Sequence, residues 1–191
     1  MKTLAIYLPQ YHVIPENNLW WGNGYTEWSS VKKAKPLFRG HYEPHVPLND
    51  NYYDLGDQSA STWKWQSLLA KHYNIYGFCI YHYWFDNGRQ LLEKPSEILL
   101  HHGEIDTNFC FCWANESWTK TWYGLENSLL MKQEYGDKNE RKKHFEYLLQ
   151  FFKDKRYIKV NNKPVLCIYK TKSMPYIVDL ISEWNLYAKE A

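Results

Sequence analysis

Two glutamates in this sequence stand among tryptophans, where a carboxyl could do acid–base chemistry on a sugar. Glu116 belongs to Cys112-Trp113-Ala114-Asn115-Glu116-Ser117-Trp118-Thr119. A carboxyl held beside indoles is partly desolvated, and that raises its pKa as a general acid requires. The competing reading is a loop glutamate held in a structural hydrogen bond. Glu27 closes the run Trp20-Trp21-Gly22-Asn23-Gly24-Tyr25-Thr26-Glu27-Trp28, which follows Tyr11-His12 and precedes His41-Tyr42-Glu43-Pro44-His45. Indole faces cover the apolar C–H face of a pyranose, and Asn, Glu and His bond its hydroxyls directionally. The same aromatics could instead pin the loop to itself. Glu116 and Glu27 are thus the candidate catalytic pair. The candidate sugar contacts are Tyr7, Tyr11, His12, Trp20, Trp21, Trp28, His45, Tyr81, His82, Trp84, Trp113, Asn115 and Trp118.

His82 is ambiguous by itself. It sits in Tyr81-His82-Tyr83-Trp84-Phe85-Asp86, where alternation puts Ile80, His82 and Trp84 on one face and Tyr81, Tyr83 and Phe85 on the other. A histidine there is either a satisfied core residue or, near a strand's C-terminal end, a ligand contact. Other chemistries lack their signatures. There is no Walker A sequence, no Gly-x-Ser-x-Gly elbow and no Asp-x-Asp. Gly22-Asn23-Gly24 lacks the strand and third glycine of a dinucleotide motif. His41 and His45 have helical ligand spacing, but Pro44 between them denies the helix. No metal and no cofactor are expected.

Four apolar runs could position these residues as strands: Leu4–Leu8, Tyr76–Phe85, Asn108–Ala114 and Pro164–Tyr169. Their near-continuous apolarity suits parallel strands. Helical patterns lie between them at Ser59–Tyr73, from Pro95 through Leu100, after the capping pattern Asp137-Lys138-Asn139-Glu140, and at Pro175–Lys189. The order is strand, long loop, helix, then three further strand–helix pairs. That pattern gives an α/β fold with a parallel sheet. The connection from about Pro9 to Asp57 is far longer than a usual βα loop, which marks it as functional.

The chain has 191 residues and 18% aromatics, enough for one domain with a sizeable core. Disorder is excluded as a global description. The net charge of +2 gives no reason to expect nucleic acid or an acidic membrane as partner. No apolar run is long enough for a transmembrane helix. Cys79, Cys110, Cys112 and Cys167 each lie in a strand-like run, and Cys110-x-Cys112 fits neither a zinc nor a thioredoxin motif. They read as buried free thiols of a cytoplasmic protein.

Several strings together resemble the WbsX-type glycosyltransferase family. They are Tyr7-Leu8-Pro9-Gln10-Tyr11-His12, Trp20-Trp21-Gly22, Gly24-Tyr25-Thr26-Glu27-Trp28, Gly77-Phe78-Cys79, Tyr81-His82-Tyr83-Trp84-Phe85, Cys112-Trp113-Ala114-Asn115-Glu116 and Arg156-Tyr157-Ile158. Such proteins are similar to the endo-α-mannosidases of glycoside hydrolase family 99. The resemblance implies a (β/α)₈ TIM-type barrel, with about its first four β/α units spread over residues 1–191. It also implies a glycan or glycosyl donor as partner and a role in surface polysaccharide such as lipopolysaccharide O-antigen. The family's Glu-Trp-x-Glu-Gly segment has no counterpart here, since Glu27-Trp28 is followed by Ser29-Ser30-Val31. The chain is therefore expected to be a fragment, inactive alone, needing the rest of a barrel or self-association to cover its open edges. Transferase and hydrolase both stay open, and the absent Asp-x-Asp leans mildly towards glycosidase-type chemistry. The alternatives are a non-catalytic carbohydrate-binding half barrel and a short hydrolase using Glu116 and Glu27 as its own pair.

Overall fold

A computed structural model describes residues 1–120 and 128–191. In chain order the elements are β1 (Leu4–Tyr7), α1 (Pro15–Trp21), α2 (Glu27–Lys33), α3 (Ser61–His72), β2 (Gly77–Trp84), β3 (Gln90–Leu91), α4 (Lys94–His101) and β4 (Asn108–Trp113). They continue with β5 (Trp118–Thr119), β6 (Leu129–Met131), α5 (Lys138–Phe152), β7 (Lys159–Val160), β8 (Lys163–Pro164), β9 (Leu166–Ile168) and α6 (Ile177–Glu190). The main sheet runs β1-β2-β4-β9 with every neighbouring pair parallel. Spatial order follows chain order without reversal. A doubly wound sheet reverses direction partway, whereas consecutive strands of a (β/α)₈ barrel do not. The fold is therefore α/β, with four β/α units in barrel order.

The two faces of the sheet differ in what they meet. Phe78, Ile80, His82, Trp84, Phe109, Phe111 and Trp113 turn towards the helices and form the main core with Trp63, Leu148, Phe151 and Trp184. The opposite face carries Cys79, Tyr81 and Tyr83 on β2, Cys110 and Cys112 on β4, and Cys167 on β9. Cys79, Cys110 and Cys112 are buried free thiols, as expected, but Cys167 is exposed. It lies on β9, at the edge of the described sheet, opposite Cys112 in register.

Gly77 opens β2 opposite Asn108, and a Cβ there would stand 2.2 Å from the Asn108 carbonyl oxygen. Backbone cannot yield as a side-chain tip can. Gly77→Ala is therefore expected to cost about 1–3 kcal/mol in a urea unfolding series. An unchanged midpoint would show that β2 and β4 can part there without loss.

Two expectations change in detail. The long connection after β1 contains two helices. Pro15, whose fixed φ suits a helix start, lies in the first turn of α1. Thr26 and Ser29 bond each other's backbone amides at the start of α2, a capping box with Ser in place of the usual Glu or Gln. The fourth strand is also split. Tyr157 bridges in parallel to Phe109, the chain leaves as the β7–β8 hairpin, and pairing resumes from Leu166 opposite Phe111. The Tyr157 hydroxyl spans the break, accepting the Phe111 N–H at 3.2 Å and donating to the Val165 carbonyl at 2.8 Å.

Candidate functional site

Aromatic rings gather beyond the C-terminal ends of the parallel strands, where this class of fold places its sites. Tyr81 and Tyr83 stand on the face of β2 opposite His82 and Trp84, 6.4 Å apart between ring centroids, with Tyr83 buried in a small apolar cluster with Ile14, Phe85, Leu91 and Leu92. Tyr81 meets Tyr169 just past β9 at 6.2 Å, and Tyr83 meets Trp118 at 5.1 Å edge-on. Trp118 in turn faces Trp20 of α1 at 5.8 Å. The row Tyr169–Tyr81–Tyr83–Trp118–Trp20 thus spans β9, β2, the segment after β4 and α1. A second group lies above β1. Trp28 contacts Tyr11 at 4.7 Å and Tyr53 at 5.0 Å, and its indole N–H donates to the Tyr53 carbonyl at 2.9 Å.

In the chain, Glu27 stands next to Trp28 of the second group. It is the first residue of α2, and its backbone N–H donates to the Gln10 carbonyl at 3.2 Å. Burial raises its pKa above the usual carboxylate range. Its charge is felt at Tyr11 and Tyr83, whose hydroxyls are raised first by burial and then by neighbouring charges that include Glu27. Glu116 acts on Tyr83 as well, and on Tyr81. The charges of both glutamates thus reach one tyrosine from different segments, Glu27 from the β1–α3 connection and Glu116 from beyond β4. Their settings differ. Glu116 is not enclosed by indoles: its side chain is 39% exposed and ion-paired with Lys170. Glu116 in turn holds the Lys170 ammonium above its ordinary range. The desolvated carboxyl is Glu27.

Trp21 stays near this region on α1, with Tyr25 at 5.9 Å and the Lys120 ammonium over its ring at 5.6 Å. Other sequence candidates lie elsewhere. His82 is buried on the helix-covered face, with its Nε2 2.8 Å from His144 Nε2. Trp84 stacks on His144 at 4.4 Å and Trp113 meets it edge-on at 4.6 Å, both inside the core. A strand apolar on both faces hides which face its helices will cover, and here they cover the even-numbered one on β2. Tyr7 also points to the helices, stacked on Trp63 and donating to Gln66. His12 is buried, its Nδ1–H given to the Pro9 carbonyl at 2.9 Å, and burial lowers its pKa. Asn115 is buried and its amide is committed. It donates to the Lys170 carbonyl at 2.8 Å and to the Tyr135 hydroxyl, and accepts the Lys170 N–H at 2.8 Å. It latches the ends of β4 and β9 together, leaving nothing for a ligand. His45 is solvent-exposed beside Glu43, 3.4 Å away.

Tyr53, Tyr83, Tyr169 and Lys170 join the site without having been singled out. The alternation on β2 contained the signal for Tyr83, once the covered face is known. Nothing local marks Lys170, which meets Glu116 across 54 residues of chain. Among the described residues, no group of three or more His, Cys, Asp or Glu is placed to hold a metal ion.

Comparison with known proteins adds three findings. The family described as glycosyltransferase WbsX matches residues 3–191. Two sequences called uncharacterized protein WxcX, from two strains of Xanthomonas campestris pv. campestris, are each 34% identical over 187 residues. Those alignments cover 98% of this chain and 26% of each relative, so the chain spans about a quarter of their length. Among solved structures, a family-99 endo-α-mannosidase from Bacteroides thetaiotaomicron, in complex with bis-tris-propane, superposes with a TM-score of 0.49 at 11% identity, over 88% of this chain and 42% of that one. A second structure of that enzyme gives 0.47 at 13% identity, over 88% and 45%.

Proposed function

This chain belongs to the WbsX glycosyltransferase family, and from that premise we propose that it supplies the sugar-binding side of a carbohydrate-active site that transfers or cleaves glycosyl units. The observation that carries this is the aromatic row Tyr169–Tyr81–Tyr83–Trp118–Trp20, with the half-buried Glu27, its pKa raised by desolvation, close enough for its charge to act on Tyr11 and Tyr83. A carboxyl so placed keeps its proton closer to neutral pH and can give it to a glycosidic or leaving-group oxygen. Trp118, Trp20 and Tyr81 offer ring faces for the sugar. The Glu116–Lys170 pair offers an acceptor and a donor for hydroxyls. The role in surface polysaccharide and the cytoplasmic location are part of this proposal, as is completion of the barrel by further β/α units. One observation favours a non-catalytic sugar-binding role as the second reading. Glu116 is engaged by Lys170, which leaves Glu27 without an unengaged carboxylate partner in this group.

Tryptophan fluorescence titration with a panel of neutral and acidic oligosaccharides tests the proposal. Trp118→Ala is expected to weaken binding about tenfold or more, a loss of roughly 1.4 kcal/mol. Tyr73→Ala, on an exposed residue at the far end of α3, should leave binding unchanged. Equal affinities for Trp118→Ala and the unaltered chain would sink the platform. Glu27→Gln in the whole enzyme separates the two readings: catalysis predicts a rate loss of about 10²–10⁴-fold with binding kept.

A further inference from the structure

The small net charge conceals a local excess. Lys32, Lys33, Lys35 and Arg39 are exposed within eight residues, from the end of α2 into the segment that follows. Among the described residues none of the four is in an ion pair, a state they share with other surface lysines such as Lys159 and Lys163. Lys32 lies over the Tyr52 ring at 4.0 Å. Of the nearby carboxylates, Glu43 is turned towards His41 and His45.

Directly beyond these cations the chain displays apolar side chains to solvent. Leu37 is 84% exposed, Phe38 65%, Tyr42 64% and Leu48 85%. The segment orders itself by closing its own polar groups. The Leu37 N–H donates to His41 Nδ1 at 3.1 Å, the His41 N–H donates to the Phe38 carbonyl, and the Phe38 ring stacks on the His41 ring at 4.5 Å. What remains pointing outward is a leucine–phenylalanine tip behind a collar of unpaired cations.

We propose that residues 32–48 dock the protein on an anionic phospholipid surface. The tip would enter the boundary between headgroups and acyl chains, with the ammonium and guanidinium groups at the phosphates and Tyr42 at headgroup level. Charge complementarity argues for this occupant, and the four exposed apolar side chains beside the cations argue for this face, since Lys159 and Lys163 flank only the single exposed Val160. The exposed apolar residues of α6, Val178 and Ile181, share their helix with Asp179 and Glu183 and have no such collar. The inference is independent of the sugar chemistry and predicts where the protein sits, whatever it turns over.

The test is vesicle flotation at 0.1 M and 0.5 M salt, with phosphatidylcholine vesicles carrying or lacking a quarter of phosphatidylglycerol. The protein should float with the anionic vesicles at 0.1 M and stay behind with the neutral ones. Binding should fall at least tenfold at 0.5 M, where screening shortens the reach of the charges. The charge-reversed variant Lys33→Glu, Lys35→Glu, Arg39→Glu and the variant Leu37→Ser, Phe38→Ser should each lose about tenfold or more. Both alter exposed residues, and unchanged unfolding midpoints would confirm that the fold is kept. Failure to float with anionic vesicles overturns the proposal, as does binding that both variants retain. A concentration-dependent dimer that Leu37→Ser, Phe38→Ser abolishes would reassign the tip to a second copy.

Discussion

Replacing Arg156 with methionine is expected to cost the fold about 3–5 kcal/mol, the usual result of removing one partner from a buried ion pair. The side chain is 5% exposed, and its guanidinium meets Asp154 Oδ2 at 2.6 Å. The same group donates to the Leu99, Leu100, His102 and Ile105 carbonyls at 2.9–3.4 Å. Those carbonyls belong to the last turn of α4 and the residues after it, where a helix runs out of internal donors. Burial alone would push the Asp154 carboxyl up, but Arg156 and its backbone amide offset this and hold it below its usual range. Methionine fills similar volume and leaves the carboxylate and several carbonyls without donors. Arg156→Lys should recover only a fraction, because a single ammonium cannot span the fork's partners. Urea unfolding at pH 7 reads both, and a loss below about 1 kcal/mol for methionine would refute this account.

Acidification from pH 7 to pH 5 should remove about 2 kcal/mol of stability through His82, with His144 adding to the loss in the same direction. His82 and His144 share one hydrogen bond between neutral rings, inside a cage of Trp84, Trp113 and Tyr147. Burial lowers the His82 pKa to about 3 and holds that of His144 well below its ordinary value, with the neighbouring His82 adding to the effect. The folded state therefore binds fewer protons than the unfolded chain wherever free imidazole titrates. Stability is fully present above about pH 6.5 and declines as pH falls through that value towards the folded pKa. At pH 5 His82 accounts for about 2 kcal/mol of this loss, and His144 acts in the same direction. His12, lowered by burial too, works in the same direction, while Glu27 and Glu93, raised by burial, oppose it. The check is the urea midpoint at the two pH values for the native chain and for His82→Phe, His144→Leu. The double variant should lose most of the dependence. Equal slopes for the two proteins would place the acid sensitivity elsewhere.

The four parallel strands were legible because their cores are unbroken runs of β-branched, aromatic and cysteine residues bounded by polar turns. Asp137 was legible as a cap, and it does accept from the Asn139 and Glu140 amides. The direction of side chains was not. His82 and Tyr83 are neighbours with opposite fates, one in the main core under the helices and one in a smaller apolar cluster that carries the aromatic row. Period two separates them without saying which face the helices will cover. Glu116 was placed among tryptophans by adjacency, yet Trp113 turns into the core and Lys170, far along the chain, becomes its partner. The helices α1 and α2 are too short for periodicity to register, and their starts rest on Pro15 and on a serine reaching back to a backbone amide.

The split in the fourth strand has a practical side. Residues 159–164 leave and return at adjoining points, the Val165 N–H bonding the Ile158 carbonyl at 3.0 Å. Between them Asn161 and Asn162, both at positive φ, make the tight two-residue reversal that asparagine tolerates. This hairpin springs from the end of the sheet opposite the aromatic row, and its tip is solvent-exposed. A foreign sequence spliced between the two asparagines would project away from any bound saccharide, so the protein carries its own attachment point for a dye, an affinity handle or a solid support.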